Sequence, residues 1–109
     1  MERQLKSDIE VEVKFSGVPL EVLPDFTFTF YSELNSSTTY ECSKQGSELT
    51  NCVISERDGS SMVKCMLENH GLKPGRLCVS VHIKWNDPDY KDGVRDDVYR
   101  KKLPLIIKP

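Results

Sequence analysis

A chain of 109 residues has room for one domain built on one hydrophobic core, and the whole of 1–109 reads as that domain. With 38% hydrophobic and 29% charged residues it is globular, and a net charge of −2 with Lys and Arg scattered among Asp and Glu excludes the basic face that nucleic-acid binding needs. Alanine is absent while Val, Ile, Thr, Phe and Tyr are plentiful, so strands are favoured over helices, and no apolar run is long enough to span a bilayer.

Residues 1–7 are polar, lack the apolar stretch of a secretory signal, and read as a flexible tail. Read as a native start, Met1 implies a protein that stays in the cytoplasm until it is assembled into something larger. Ile9, Val11, Val13 and Phe15 then alternate with Glu10, Glu12 and Lys14, the period of a strand with one buried face, and Gly17 ends it. Residues 18–24 are apolar but hold Pro19 and Pro24, so a loop or edge segment is expected. Phe26, Phe28 and Phe30 share the next strand's core face, opposite Thr27, Thr29 and Tyr31, and the polar stretch 33–38 reads as a loop.

Residues 39–44, 48–55 and 61–68 look like three strands of a meander, with turns at Gln45-Gly46 and Asp58-Gly59. An Asp-Gly pair between alternating runs favours a two-residue type I′ hairpin, because both central residues need positive φ. In that register Cys52 faces Cys65 and Ile54 faces Val63, which places Cys52, Ile54, Val63, Cys65 and Leu67 on one face.

The clearest strand lies between Lys73-Pro74-Gly75 and the acidic turn that opens at Asp87-Pro88-Asp89. Leu77, Val79, Val81, Ile83 and Trp85 fall on one side, with Cys78, Ser80, His82 and Lys84 on the other, as in a central strand of a sandwich. Segment 94–102 is charged and poorly patterned, as exposed edges are, and 103–107 closes the chain beside an early strand. About seven strands in a chain of this size predict an all-β, immunoglobulin-like antiparallel β-sandwich. Its expected core includes Val11, Val13, Phe28, Phe30, Ile54, Val63, Val79, Val81 and Ile83.

Little in the sequence points to chemistry, and no cofactor is implied. Cys42, Cys52, Cys65 and Cys78 lack the paired spacing of a zinc site; they read as reduced thiols, with a Cys52–Cys65 bridge as the alternative. Counted from Asp87, positions 5 and 6 of a calcium loop fall on Lys91 and Asp92, so the EF-hand pattern fails and the acids are read as turn caps. His70 and His82 read as ordinary surface histidines without a nucleophile beside them, and Trp85 as core or rim packing.

Three segments carry a resemblance: Asp25-Phe26-Thr27-Phe28-Thr29-Phe30-Tyr31, the run from Leu72 to Val81, and Pro88-Asp89-Tyr90-Lys91-Asp92-Gly93-Val94-Arg95. In this order they resemble small β-sandwich proteins encoded in phage and prophage tail regions of gut bacteria. Those proteins are similar in turn to the N-terminal docking domain of upper-baseplate and tail-fibre proteins. The likeness spans roughly residues 9–107, rests on strand and turn patterns, and does not include the four cysteines. It implies a non-enzymatic structural role, with other tail or baseplate proteins or a second copy as partners, and neither nucleic acid nor membrane. Candidate contact residues are Asp87, Asp89, Tyr90 and Asp92 in the acidic turn, with Arg95 and Tyr99 on the expected edge. The alternative is an immunoglobulin-like adhesion or carbohydrate-binding module of a bacterial cell-surface protein.

Overall fold

A computed structural model describes the backbone of residues 2–4 and 8–108 and the side chains of residues 8–107. The described residues form nine strands: β1 (Glu2–Gln4), β2 (Ile9–Phe15), β3 (Asp25–Ser32), β4 (Asn35–Gln45), β5 (Glu48–Thr50), β6 (Cys52–Arg57), β7 (Ser60–Leu67), β8 (Gly75–Asn86) and β9 (Val94–Lys108). A short 3-10 turn at Leu20–Val22 is the one helical element among the described residues, so none is long and apolar enough to cross a membrane. The larger sheet runs β1-β9-β8-β3-β4-β5 and the smaller β2-β7-β6. Every pairing is antiparallel except that of β1, which lies parallel to the end of β9.

The expected immunoglobulin-like sandwich is present. In chain order the strands match the nine of a variable-type domain: β2, β7 and β6 stand for B, E and D, and β9-β8-β3-β4-β5 for G-F-C-C′-C″. One strand departs from that plan. Strand A would flank B, but here β1 sits on β9 instead, so β2 has no neighbour on its outer side among the described residues.

The core lies between the sheets and is strongly aromatic at one end. Phe26, Phe28 and Phe30 alternate inward from β3 with no more than 2% of their surface exposed. Phe15 of β2 closes on them from the opposite sheet, with ring centroids 5.7 Å from Phe26 and 6.4 Å from Phe28. Val79, Val81 and Ile83 of β8 pair with Phe30, Phe28 and Phe26, so one apolar floor spans the two central strands. Each large side chain so buried contributes roughly 1.5–3 kcal/mol.

Several expectations need correction. Asn35 already begins β4, so the stretch 33–38 is not a loop: only Glu33 and Leu34 turn the chain, and the polar residues beyond them belong to a strand. The run 48–55 is not one strand. Asn51 adopts φ 55°, and the chain there passes from β5, paired with β4, to β6, paired with β7. The meander is thereby divided between two sheets. Val11, Val13 and Ile54 are only half-buried, because β2 and β6 are the outer strands of the smaller sheet. His70 is buried, not at the surface, and its Nδ1 accepts the Leu72 amide at 3.0 Å. Residues 94–102 and 103–107 form one strand that continues through Pro104. Of the expected tail, Glu2–Gln4 form β1, while Met1 and residues 5–7 lie outside the described residues.

Other expectations hold. Asp58 and Gly59 have φ of 51° and 74°, as a type I′ turn requires, and β6 pairs with β7 so that Cys52 faces Cys65 and Ile54 faces Val63. Segment 94–102 is an outer edge, since β1 reaches β9 only at Ile106, Ile107 and Lys108.

Two outcomes test this packing. Val81→Asp puts an unpaired carboxylate into the core and is expected to abolish cooperative unfolding, whereas Val53→Asp, at a position 48% exposed, leaves it intact. Far-ultraviolet circular dichroism with urea titration reads both. The Asp25 carboxylate accepts the Gly46 amide at 3.0 Å and pairs with Lys44 at 3.1 Å; the Gly46 bond, opposed by burial and helped by Lys44, holds its pKa below the ordinary 3.8. A depressed carboxylate stabilises the fold above its unfolded pKa and loses that contribution as pH falls through the folded one. Asp25→Asn is therefore expected to lower stability at pH 7 by less than about 1 kcal/mol, given its exposure, and to match the parent once acid has protonated the carboxylate.

Candidate functional site

Registers gather four connections at one end of the sandwich. The start of β3 at Asp25 lies beside Lys84 near the end of β8, and Phe26 beside Lys44 near the end of β4. Phe15 at the end of β2 pairs with Ser61 at the start of β7 and packs 6.4 Å from Trp85 of β8, which brings the two sheets together there. The loop at 16–24, the turns at 46–47 and 58–59, and the acidic turn at 87–93 therefore share this end.

The acidic turn is a closed, self-bonded loop. Asp87 N–H donates to the Gly93 carbonyl at 2.9 Å, Tyr90 N–H to Asp87 O at 3.1 Å, and Gly93 N–H to Tyr90 O at 2.9 Å. The Asp87 carboxylate accepts the Asp89 amide at 3.0 Å, and that of Asp92 accepts the Val94 amide at 3.2 Å. These oxygens serve the turn's own backbone, the usual work of aspartate in tight turns. Among the described residues no group of three or more His, Cys, Asp or Glu side chains is arranged to hold a metal ion.

Arg95 ties this turn to the sandwich. Its guanidinium lies 5.8 Å above the Trp85 ring and 3.7 Å from both Asp87 and Asp97, while Trp85 Nε1 donates to Asp97 at 2.8 Å. Asp87 and Arg95 thus belong to one cluster with Trp85 and Asp97, and they fix the loop rather than present free charge. Asp89, Tyr90 and Asp92 stand exposed on its outer side.

Tyr99 faces elsewhere. It pairs with Val81 on the inner face of β9, where the three-stranded sheet does not reach, and it is half-exposed. A cleft of about 370 Å³ opens here between the sheets. Val11 and Val13 form one wall, Val81 and Trp85 the floor, and Tyr99 and Leu103 the other wall. The six proposed contact residues therefore do not form one patch: five surround the acidic turn, and Tyr99 lines the cleft.

The β2 rim of this cleft is a strand edge without a neighbour among the described residues, and it has a definite chemistry. Counting from the two-residue turn, Cys65 and Val63 are non-hydrogen-bonded partners of Cys52 and Ile54, so their backbone groups point toward β2 and bond Val11 and Val13. The backbone N–H and C=O groups of Glu10, Glu12 and Lys14 consequently point outward, away from β7. Among the described residues nothing pairs with this row of donors and acceptors, which borders an apolar trough. Sequence reasoning missed Val11, Val13, Trp85 and Leu103 as cleft residues, because alternation marks a strand's inward face but not whether another strand covers it.

Arg95→Ala is expected to free the 87–93 loop and uncover Trp85. The anticipated result is a red-shifted tryptophan emission with a loss of about 1–2 kcal/mol, the combined worth of a cation–π contact and two loose ion pairs. An unchanged emission maximum would show that Arg95 does not cover the ring.

No protein-family model matches this chain, and no curated protein matches it in sequence.

Proposed function

We propose that this chain is a non-enzymatic assembly domain of a phage or prophage tail or baseplate, docking other virion proteins through the β2 edge and its cleft. The observation that carries the docking reading is the unpaired row at Glu10, Glu12 and Lys14 beside an apolar trough. An extended segment can bond that row as a fourth strand and place alternate apolar side chains between Val13 and Tyr99. The occupant is therefore an extended peptide segment with apolar residues at every second position. The tail setting draws on the strand and turn motifs at 25–31, 72–81 and 88–95. The acidic turn, near the Trp85 end of the same cleft, supplies a polar rim.

Co-expression with the products of neighbouring tail genes, followed by size-exclusion chromatography, tests this reading. A complex is expected with one such partner. Tyr99→Ala is expected to weaken it at least tenfold, in line with the cost of losing an interfacial tyrosine. Glu12→Pro removes one outward N–H without touching the β2–β7 ladder, so the variant should fold and fail to bind. A complex indifferent to both substitutions removes the cleft from the proposal. A monomer that ignores every virion protein yet binds a glycan tightly would favour the cell-surface adhesion module instead.

A further inference from the structure

Opposite the cleft the sandwich is pinched shut, and three cysteines lie in the pinch. Tyr40 of β4 donates its hydroxyl proton to the Met66 carbonyl of β7 at 3.0 Å and accepts the Glu68 amide at 3.3 Å. On the other side of Cys42, the thiol of Cys52, which lies opposite Cys65, donates to the Ser43 carbonyl at 3.5 Å. These bonds bracket Cys42 against Cys65. Neither residue exposes any surface, and β4 and β7 approach within 8 Å between Cα atoms, well inside the usual spacing of about 10 Å for facing sheets. Cys42 pairs with the inward Phe28 and Cys65 with the inward Val11, so both thiols point into the space between the sheets. All four cysteines are free thiols.

We propose that Cys42 and Cys65 are a disulfide-forming pair that joins the two sheets covalently when the chain folds in the presence of a disulfide oxidant. The oxidant is a small disulfide such as oxidised glutathione, or the active disulfide of an oxidoreductase. One cysteine thiolate attacks a sulfur of the oxidant and expels the first thiolate, giving a mixed disulfide. The second attacks that mixed disulfide, forms the Cys42–Cys65 bond and expels the other thiolate. Two protons pass to the leaving groups, so two cysteine thiols are oxidised and one disulfide is reduced to two thiols.

Register alone pairs Cys65 with Cys52, but two features favour Cys42. A bridge between directly opposed strand neighbours is strained, and the Cys52 thiol is turned toward Ser43 rather than toward Cys65. The proposed bond also differs from the inter-sheet bridge of antibody domains, which links strands B and F. Their counterparts here are β2 and β8, whereas Cys42 and Cys65 lie on the C′ and E counterparts. It closes a loop of roughly two dozen residues, long enough for a clear gain in stability.

The test is to refold the reduced, denatured full chain in oxidised and reduced glutathione, quench with an alkylating agent, and map the linked peptides by mass spectrometry. The expected product is lighter by two hydrogen atoms and joins Cys42 to Cys65, with Cys52 and Cys78 alkylated. It should melt at least about 10 °C above the reduced protein and lose that gain on adding reductant. Cys52→Ser should keep the bridge, and Cys42→Ser should leave Cys65 open to alkylation. A Cys52–Cys65 link, no link at all, or a bridge that lowers the melting temperature would each overturn the proposal.

Discussion

The row of Phe26, Phe28 and Phe30 on β3 is the contact on which the structure depends. β3 is flanked by β4 and β8, so its inner face is the middle of the larger sheet. A phenylalanine at three successive inward positions gives that middle a continuous aromatic surface, onto which Phe15 and the small sheet settle. Offset ring pairs such as Phe26 and Phe28, 4.7 Å between centroids, add to the burial itself. Truncating one such ring typically costs 3–5 kcal/mol, a large part of the stability of a small domain.

Side-chain size sets the shape around that row. Toward β4 the inward residue Cys42 faces Cys52 and Cys65, and such small side chains let the sheets approach until side chains of one bond the backbone of the other. Toward β9 the inward residues are Trp85, Tyr99 and Leu103, facing the single outer strand β2. Among the described residues six strands oppose three, so part of the larger sheet is not covered by the smaller one. A sandwich closed on one side and open on the other follows from these choices. The open side then combines a bare strand edge with apolar walls, the two features a docking strand requires.

Polar groups mark the surfaces that stay fixed. Arg95 holds the acidic turn by lying over Trp85, and its Nε is buried without a hydrogen-bond partner, so packing and charge retain it there. Lys102 and Glu33 pair at 2.7 Å above Cys78 on the outer face of the larger sheet. Burial pushes the Cys78 thiol pKa up, with Glu33 acting in the same direction, which leaves it a poor nucleophile beside its charged neighbours.

The sequence by itself determined the local elements. Alternation at 9–15, 26–31 and 77–85 placed β2, β3 and β8, and Asp58-Gly59 set the β6–β7 register to the residue, because period and turn chemistry act over a few neighbouring residues. Tertiary structure decided what covers each element. It broke the 48–55 run at Asn51, where the two halves pair with different sheets, and set Asn35 opposite Ser32 at the end of β3, with residues 36–38 bulging before the pairing resumes at Thr39. It moved β1 to β9 and so left β2 bare, which turned Val11 and Val13 from core into cleft wall. It also set Cys42 against Cys65, residues that no turn relates. Of the candidate site, the acidic turn was legible because aspartate and glycine write their own backbone geometry. The cleft was not, because an uncovered face and a covered one carry the same alternating pattern, and only the count of strands in the opposite sheet tells them apart.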